Sequence, residues 1–467
     1  MSSIGLELRV EKVTFAAFLL AQVAVLWAIY SGLTNPMSIL ILALIAGVIA
    51  VVVTVNFELA SYLFVLSFLF NQDLTSGMRL RIADLIAVLL ILSFGLRVFV
   101  TGEVKLRKTP LDIAILCFLA VLGLSLVNAK SVMFGTINYF RHIQLFLVMY
   151  ALYHCLNLSH FKKLLYLFLI IVASNALISN VIFIASGGGF RSFGFAGNEF
   201  TDMVVPGSLI CYVFYFFEKN TKKKSVYMLG VLNFVIALFA TGTRGALVSW
   251  GIGFVLTNLV LMRQPIVKKG KVIQWGLIVP VFLLALGLAF RYQTSHGVVS
   301  PYRGFVDTAD FRLALWHLAI QSFLAHPILG IGLNQFMRLV EVYPSVRFSI
   351  LYPFIKGLDA HSVVLNFAAN TGIMGLTLLF ILFYKILQES WQMYKKYKWT
   401  SHAPLTLSLA LVLTYIVYSS FYAGAWFWSL NGFEFMLFLA MLLRLRKELD
   451  PRSEKLNSSS LGFMSRS

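Results

Sequence analysis

Long apolar runs separated by short polar loops fill most of the chain. Runs such as FLLAQVAVLWAIY, MSILILALIAGVIAVVV and VIQWGLIVPVFLLALGLAF approach the roughly 20 apolar residues that a helix needs to cross a bilayer core. The pattern predicts an all-α fold, a polytopic membrane bundle of about 14 transmembrane helices within a range of about 12 to 14. The third run is short, and the first run has no cleavage site after it and is expected to be retained. The predicted spans are 13–30, 37–55, 57–71, 82–100, 110–127, 139–157, 162–185, 200–217, 226–241, 244–262, 275–290, 362–386, 403–423 and 427–445.

Composition agrees with this pattern. Hydrophobic residues make up 59% of the chain and charged residues 12%, far from the averages of a soluble globular protein. The three cysteines, Cys117, Cys155 and Cys211, lie inside apolar runs and imply neither a disulfide framework nor a metal-type pair. A membrane protein is therefore expected.

The net charge of +19 follows the loops, so it does not indicate a nucleic-acid partner. Clusters of lysine and arginine occupy alternate loops without a break. The positive-inside rule places these loops and both termini in the cytoplasm, with the intervening loops on the outer face of the membrane. The clusters are Lys105 to Lys108, Lys162 with Lys163, Lys219 to Lys224, Arg263 to Lys271 and Lys395 to Lys398.

The predicted topology also separates arginine from lysine. The outer segments hold ten arginines and two lysines, whereas the inner segments hold eighteen lysines and eight arginines. Because the planar guanidinium group grips a phosphate through two parallel hydrogen bonds, this bias indicates an outer face that binds phosphate. Interfacial snorkelling of arginine is the alternative explanation. The outer arginines are Arg79, Arg81, Arg141, Arg191, Arg244, Arg291, Arg303, Arg312, Arg338 and Arg347.

Residues 291–360 form the one long segment between spans. ADFRLALWHLAIQSFLAHP places apolar residues on one helical face, which is typical of an amphipathic helix on a membrane surface. Pro327 should end this helix, and Gly330 and Gly332 should allow a tight turn before a second short amphipathic helix. The sequence divides into N-terminal spans 1–185, spans with arginine-bearing outer loops 186–290, the periplasmic loop 291–360, C-terminal spans 361–446 and a cytoplasmic tail 447–467.

Three stretches in this order, TGTRGALVSWG, FRLALWHLAIQSFLAHPILGIGLNQF and AHSVVLNFAANTGIMGLTLLF, resemble successive blocks of the O-antigen ligase and Wzy-type O-antigen polymerase superfamily. The resemblance covers roughly residues 185 to 440. It implies an enzyme that takes a glycan from undecaprenyl pyrophosphate at the periplasmic face and transfers it to a sugar hydroxyl of a second glycan or of lipid A–core. It also implies that Arg244, Arg312 and His361 are the functional residues.

The residue types suit that chemistry. Displacing pyrophosphate from an anomeric carbon requires cations that hold the departing charge, and Arg244 and Arg312 can supply them. His361 is the candidate base for the attacking hydroxyl, because imidazole accepts a proton near pH 7. Arg191, Arg303 and Arg338 are expected to bind substrate.

No cofactor and no metal are expected, because an Asp-x-Asp motif is missing. Glu199 and Asp202 offer a weaker carboxylate or metal alternative. His317 and His326 are expected to be structural, and Glu434 either pairs with an arginine or holds the last helix in place.

Two questions stay open at this stage. A lipid-linked glycan transporter is the rival class, although transporters usually place ionisable groups near the midplane, and these spans hold few. Within the superfamily, the predicted number of spans leans slightly towards a polymerase, with a ligase that attaches glycan to lipid A–core as the alternative.

Overall fold

The computed structural model describes residues 56–69, 81–102, 104, 106–186, 192, 200–278, 308–338, 358–421 and 430–449. These ranges are helical and contain no β-strand, which agrees with the all-α prediction. The helices are α1 Phe57–Leu66, α2 Ile82–Gly95, α3 Asp112–Ser125, α4 Val132–Cys155, α5 Leu158–Ala185, α6 Phe200–Phe217, α7 Thr221–Thr241, α8 Arg244–Leu261, α9 Thr308–Ala325, α10 Val363–Tyr397, α11 Ala403–Ser419 and α12 Leu430–Leu449.

The protein is a multi-pass membrane protein. Within the described ranges, five helical stretches are long and apolar enough to cross a bilayer, namely Ile82–Val100, Leu158–Ala185, Phe200–Phe217, Thr221–Thr241 and Val363–Tyr397. The predicted spans 82–100 and 200–217 match their helices at both ends. Spans 13–30 and 37–55 and most of 275–290 lie outside the described residues, so the total of about fourteen stays a prediction.

Several helices extend beyond their predicted spans, and α4 and α10 show the largest shifts at one end. Helix α4 begins at Val132 instead of residue 139, and α10 continues to Tyr397 instead of residue 386. Polar residues interrupt the apolar run of α4 but do not end the helix. Two of their side chains, those of Arg141 and Gln144, contact Asp84 of another helix. Arg141 lies 3.8 Å from the Asp84 carboxylate, and Gln144 donates to the Asp84 carbonyl oxygen at 2.9 Å. Paired in this way, polar groups join α4 to the start of α2.

Helix α10 is broken at Gly372, which has φ 63° and ψ −161°. In an unbroken helix the N–H groups of Ile373 and Met374 would bond the carbonyl oxygens of Ala369 and Asn370. Here the turn that follows α9 lies between them. Ile331 and Gly332 donate to Ala369 and Asn370 at 2.9 and 3.0 Å, while Ile373 and Met374 donate to Pro327 and Ile328 at 2.8 and 3.3 Å. Four hydrogen bonds to the turn replace two helical ones.

The segment after α9 therefore packs into the bundle and is not simply a surface loop. Helix α9 ends at Ala325, as Pro327 predicts, and Gly330 and Gly332 adopt the positive φ angles that a tight turn requires. Residues 331–336 are buried, and a short 3-10 helix follows at Phe336–Arg338. The second amphipathic helix expected after this turn falls on residues outside the described part of the chain.

Contacts between helix ends define two opposite ends of the bundle. One end, which we call the lysine end, holds the start of α5, where Leu158 N–H donates to Glu448 of α12 at 3.1 Å, and the end of α10, where Tyr394 bonds Gln264. The other end, which we call the site end, holds the starts of α8 and α10 and the end of α11. Helix α11 connects them over about 25 Å at 1.5 Å per residue.

Candidate active site

His361 stands immediately before α10 in an unusual backbone conformation, with φ 46°. Its N–H donates to Asp359 Oδ1 at 2.9 Å, and its ring Nδ1 lies 3.5 Å from the same oxygen. Ser362 is the N-cap and accepts the N–H of Leu365 at 3.3 Å. A non-glycine residue in the left-handed region costs free energy of order 1–3 kcal/mol, and such positions cluster at functional sites.

The surroundings of His361 favour its neutral form. Burial lowers its pKa first; the Asp359 carboxylate raises it and the Arg312 guanidinium lowers it, with a net shift below 6.5. The side chain remains 37% exposed. An imidazole that is neutral at pH 7 and still reachable is suited to accept a proton.

Arg312 lies on the side of α9 that packs against α10. Leu315, Ala319 and Ser322 follow it at helical spacing, and all three are 0% exposed. The charge of Arg312 acts on His361, so the structure brings these two predicted residues together. Within the described ranges, Arg312 forms no ion pair with an acid. Its positive charge is therefore available to an anionic ligand.

The outward face of α9 is the apolar one that the sequence predicts. Leu313 is 58% exposed, Ile320 47% and Leu324 68%. His317 is exposed on this helix beside Gln321, with 2.8 Å between their side-chain nitrogens, and His326 is exposed in the turn before Pro327. Neither histidine lies on the packed face of α9.

Arg244 is the first residue of α8, directly after the turn that ends α7. Gly242 makes this turn possible, since it adopts φ 59° as the C-cap of α7. The predicted position of Arg244 at a helix start is thus confirmed for its backbone. The N-terminus of a helix presents N–H groups and a partial positive charge that favour a phosphate ligand.

The end of α11 joins the helices that carry these residues. Tyr418 donates to the carbonyl oxygen of Ser249, five residues after Arg244, and Val364 N–H donates to the carbonyl oxygen of Ser420 at 3.3 Å. Tyr415 also donates to Asp202 of α6 at 3.4 Å. The starts of α8 and α10 therefore belong to the same end of the bundle.

Two other outer arginines make contacts within the protein. Arg338 Nη1 donates to Ser131 Oγ at 2.6 Å, and its guanidinium carbon lies 5.5 Å from the centre of the Phe134 ring. Arg141 pairs with Asp84, as described above. Some of the arginines counted on the outer face thus connect one helix to another part of the protein. Arg191 and Arg303 lie outside the described residues.

Of the three carboxylates that the sequence singles out, the structure describes Asp202 and Glu434. Glu434 is 0% exposed, and within the described residues neither of its carboxylate oxygens has a hydrogen-bond partner. The described part of the chain thus shows no arginine paired with Glu434, and the charge that acts on it is that of Asp202. Glu199 lies outside the described part of the chain. Among the residues that the structure describes, no three His, Cys, Asp or Glu side chains cluster as metal ligands would.

Sequence reasoning missed Asp359. The available signal was the DAH spacing, because an Asp side chain readily accepts the backbone N–H two residues later. It also missed Tyr418 and Ser420, whose contacts depend on the packing of α11.

Comparison with known families bears on this arrangement. Residues 229–380, which run from α7 into α10, match the family model described as O-antigen ligase. The three sequence blocks all lie within the matched residues. The matched region contains Arg244, Arg303, Arg312, Arg338 and His361, and it includes the turn that enters the break in α10. The superfamily to which the three sequence blocks point is therefore confirmed.

A curated protein of Rickettsia typhi, named "Putative polysaccharide ligase", is similar over 161 residues at 25% identity. The similar region makes up 33% of this chain and 38% of that protein. The likeness is thus confined to well under half of either molecule, and it supports the O-antigen ligase superfamily for the region that carries the candidate site.

Proposed function

We propose that the protein is a membrane glycosyltransferase that moves a glycan from undecaprenyl pyrophosphate to an acceptor sugar hydroxyl at the periplasmic face of the inner membrane. The observation that carries this proposal is that the charge of Arg312 acts on His361 at the end of the bundle where α8 begins with Arg244. The role lies in the synthesis of surface polysaccharide, either O-antigen or exopolysaccharide.

The proposed reaction divides the work between cations and base. Arg312 and Arg244 hold the pyrophosphate of the donor, so that the bond between the anomeric carbon and the phosphate oxygen breaks as negative charge leaves. The acceptor hydroxyl oxygen forms the new bond to that carbon, and its proton passes to His361. Asp359 fixes the backbone and ring of His361. Arg191, Arg303 and Arg338 are proposed to contact the glycan or the lipid phosphate.

The test is a transfer assay with purified protein, lipid-linked donor and acceptor in excess EDTA, scored by gel shift of the glycan. His361→Ala should lower the rate by roughly a hundred- to ten-thousandfold while donor binding persists, because the arginines remain. His317→Ala is the matched control, since His317 is an exposed histidine on α9. Residual transfer within a few-fold of wild type in His361→Ala would reject the base assignment.

The same assay tests metal independence. Wild-type transfer should continue in EDTA. If EDTA stops it and manganese or magnesium restores it, the metal-free reaction is wrong, and Glu199 and Asp202 become the residues to examine. Transfer to an acceptor in detergent also separates an enzyme from a glycan transporter, which forms no new glycosidic bond.

Polymerase and ligase differ in the acceptor. The slight lean towards a polymerase rests on the number of predicted spans, whereas the matched family and the Rickettsia protein both carry ligase names. Ligation to lipid A–core is therefore the second candidate. Deleting the gene decides between them. Single repeats attached to the core without long chains identify a polymerase, and lipid-linked polymer that stays unattached identifies a ligase.

A further inference from the structure

A cavity of about 620 Å³ opens at the lysine end of the bundle, far from the candidate active site. Its wall is formed by the starts of α5, α7 and α11, the end of α6 and the loops between them. Helix α11, which begins at this cavity and ends at the site end, is about 25 Å long. The proposed transfer reaction does not involve this cavity.

Within the described part of the chain, the lysines of the wall form no ion pair. Lys162 and Lys219 are exposed at the rim, and neither forms an ion pair within the described ranges. Glu218 is the acid on the wall, and its Oε1 accepts the N–H groups of Lys219 and Asn220 at 2.8 and 2.9 Å. The Glu218 carboxylate thus bonds backbone N–H groups, and the two lysines leave the rim with a net positive charge.

His402 and the start of α11 lie beside these lysines. His402 lies on the wall directly before the first turn of α11. Burial lowers its pKa, and the charge of Lys162 lowers it further, which shows that this lysine acts across the wall. The start of α11 itself contributes the partial positive charge of a helix N-terminus. An anion at the rim would meet the two lysines and this helix N-terminus, with a neutral His402 beside them.

The remaining wall is apolar and aromatic. Tyr166, Ile266 and Trp399 line the cavity and are 47%, 58% and 55% exposed. Aromatic residues beside lysines are typical of the headgroup level of a membrane. A volume of this size is in the range of small-molecule sites and exceeds what a phosphate alone would fill. The shape and charge suit a phosphate attached to an apolar chain.

We propose that this cavity binds the phosphate headgroup of an anionic glycerophospholipid from the leaflet at the lysine end. Lys162 and Lys219 hold the phosphate, and the aromatic wall receives the beginning of the acyl chains. Lipid occupancy joins α5, α6 and α11, so it stabilises the bundle without entering the reaction.

The experiment measures lipid binding to the purified full-length protein in neutral detergent by native mass spectrometry. The probes are dioleoylphosphatidylglycerol, dioleoylphosphatidylcholine and glycerol phosphate. The variants are Lys162→Gln/Lys219→Gln and the charge-preserving Lys162→Arg/Lys219→Arg. Lys163→Gln/Lys222→Gln is the matched control, since these two lysines are also exposed and do not line the cavity.

Phosphatidylglycerol should bind the wild type at least tenfold more tightly than phosphatidylcholine does. The glutamine pair should lose that preference, while the arginine pair and the control should retain it within about twofold. Equal binding of the two phospholipids, or equal losses in the glutamine pair and the control, would overturn the proposal. Binding of glycerol phosphate as tight as that of phosphatidylglycerol would also overturn it and assign the cavity to a free phosphate ester.

Discussion

At the scale of single residues, Asp359 acts on His361 in two ways, through a hydrogen bond and through its charge. The Asp359 carboxylate accepts the His361 N–H and also raises the pKa of the ring, while burial and Arg312 lower it. Asparagine at position 359 keeps an oxygen for the N–H and removes the negative charge. The two contributions of Asp359 can therefore be measured apart.

We expect Asp359→Asn to shift the pH dependence of transfer. A general base works unprotonated, so kcat/KM falls as the pH falls through the pKa of His361, which in the wild type lies below 6.5. Loss of the carboxylate lowers that pKa further and moves the acid limb to lower pH. Asp359→Ala should also lower the maximal rate, because the turn that holds His361 is lost. An acid limb that stays in place or moves upward in Asp359→Asn would contradict this electrostatic role.

Arg312 allows a test of bidentate phosphate binding. Arg312→Lys keeps the charge but loses the planar fork, so kcat/KM should fall by roughly tenfold or more while the protein still inserts and folds. Arg263→Lys serves as the control, because Arg263 is exposed in the loop after α8. If Arg312→Lys transfers glycan at a near-normal rate, interfacial snorkelling explains the arginine bias better than phosphate binding does.

At the scale of elements, the turn of residues 327–332 and the break in α10 depend on each other. A Cβ at Gly372 would lie 2.3 Å from the carbonyl oxygen of Ile328, and a Cβ at Gly332 would lie 2.6 Å from the Cα of Ala129. Both positions also have positive φ. Asn370 Oδ1 also accepts the N–H of Phe336 at 2.9 Å, so the same contact region holds the short 3-10 helix at Phe336–Arg338.

Gly372→Ala should destabilise the protein by about 2 kcal/mol or more, because strain at positive φ adds to a clash with backbone atoms. Gly251→Ala is the matched control, as a Cβ at Gly251 would meet nothing within 4 Å, and alanine favours the interior of α8. Thermal melting in detergent and transfer activity both check the result. Similar melting temperatures for the two variants would show that the turn does not support α10.

At the scale of the whole molecule, apolar patterning predicts the helices well where a helix coincides with an apolar run, as for 82–100 and 200–217. It fails for α4, whose polar stretch is stabilised by Asp84 from another helix. The break in α10 was also missed, because NTGIMG has an ordinary helical appearance and Gly372 breaks only when the distant turn supplies partners. Local patterns predict positions along the chain, but long-range partners decide these details.

The same limit applies to the candidate site. The resemblance predicts Arg244, Arg312 and His361, and the structure brings Arg312 to His361 and the start of α8 to the same end of the bundle. The resemblance cannot predict that Arg338 bonds Ser131, because that contact joins residues 207 positions apart in the chain.

The predicted orientation of the bundle has its own test. After the three native cysteines are replaced, a cysteine at Ser345 should react with a membrane-impermeant thiol reagent in intact spheroplasts, and one at Ser225 should not. Ser225 is exposed in the second turn of α7, so lack of access to the reagent there reflects its compartment and not its burial. The opposite labelling would overturn the periplasmic assignment of the site.

The break in α10 also imposes an order of assembly during synthesis. Carbonyl and N–H groups left open at such a break are costly in the hydrocarbon core until protein covers them. Their partners at residues 327–332 precede α10 in the chain, so the ribosome has already released them when α10 enters the membrane. The junction between this turn and α10 can therefore form as soon as α10 inserts, and the end of α11 joins the site end afterwards.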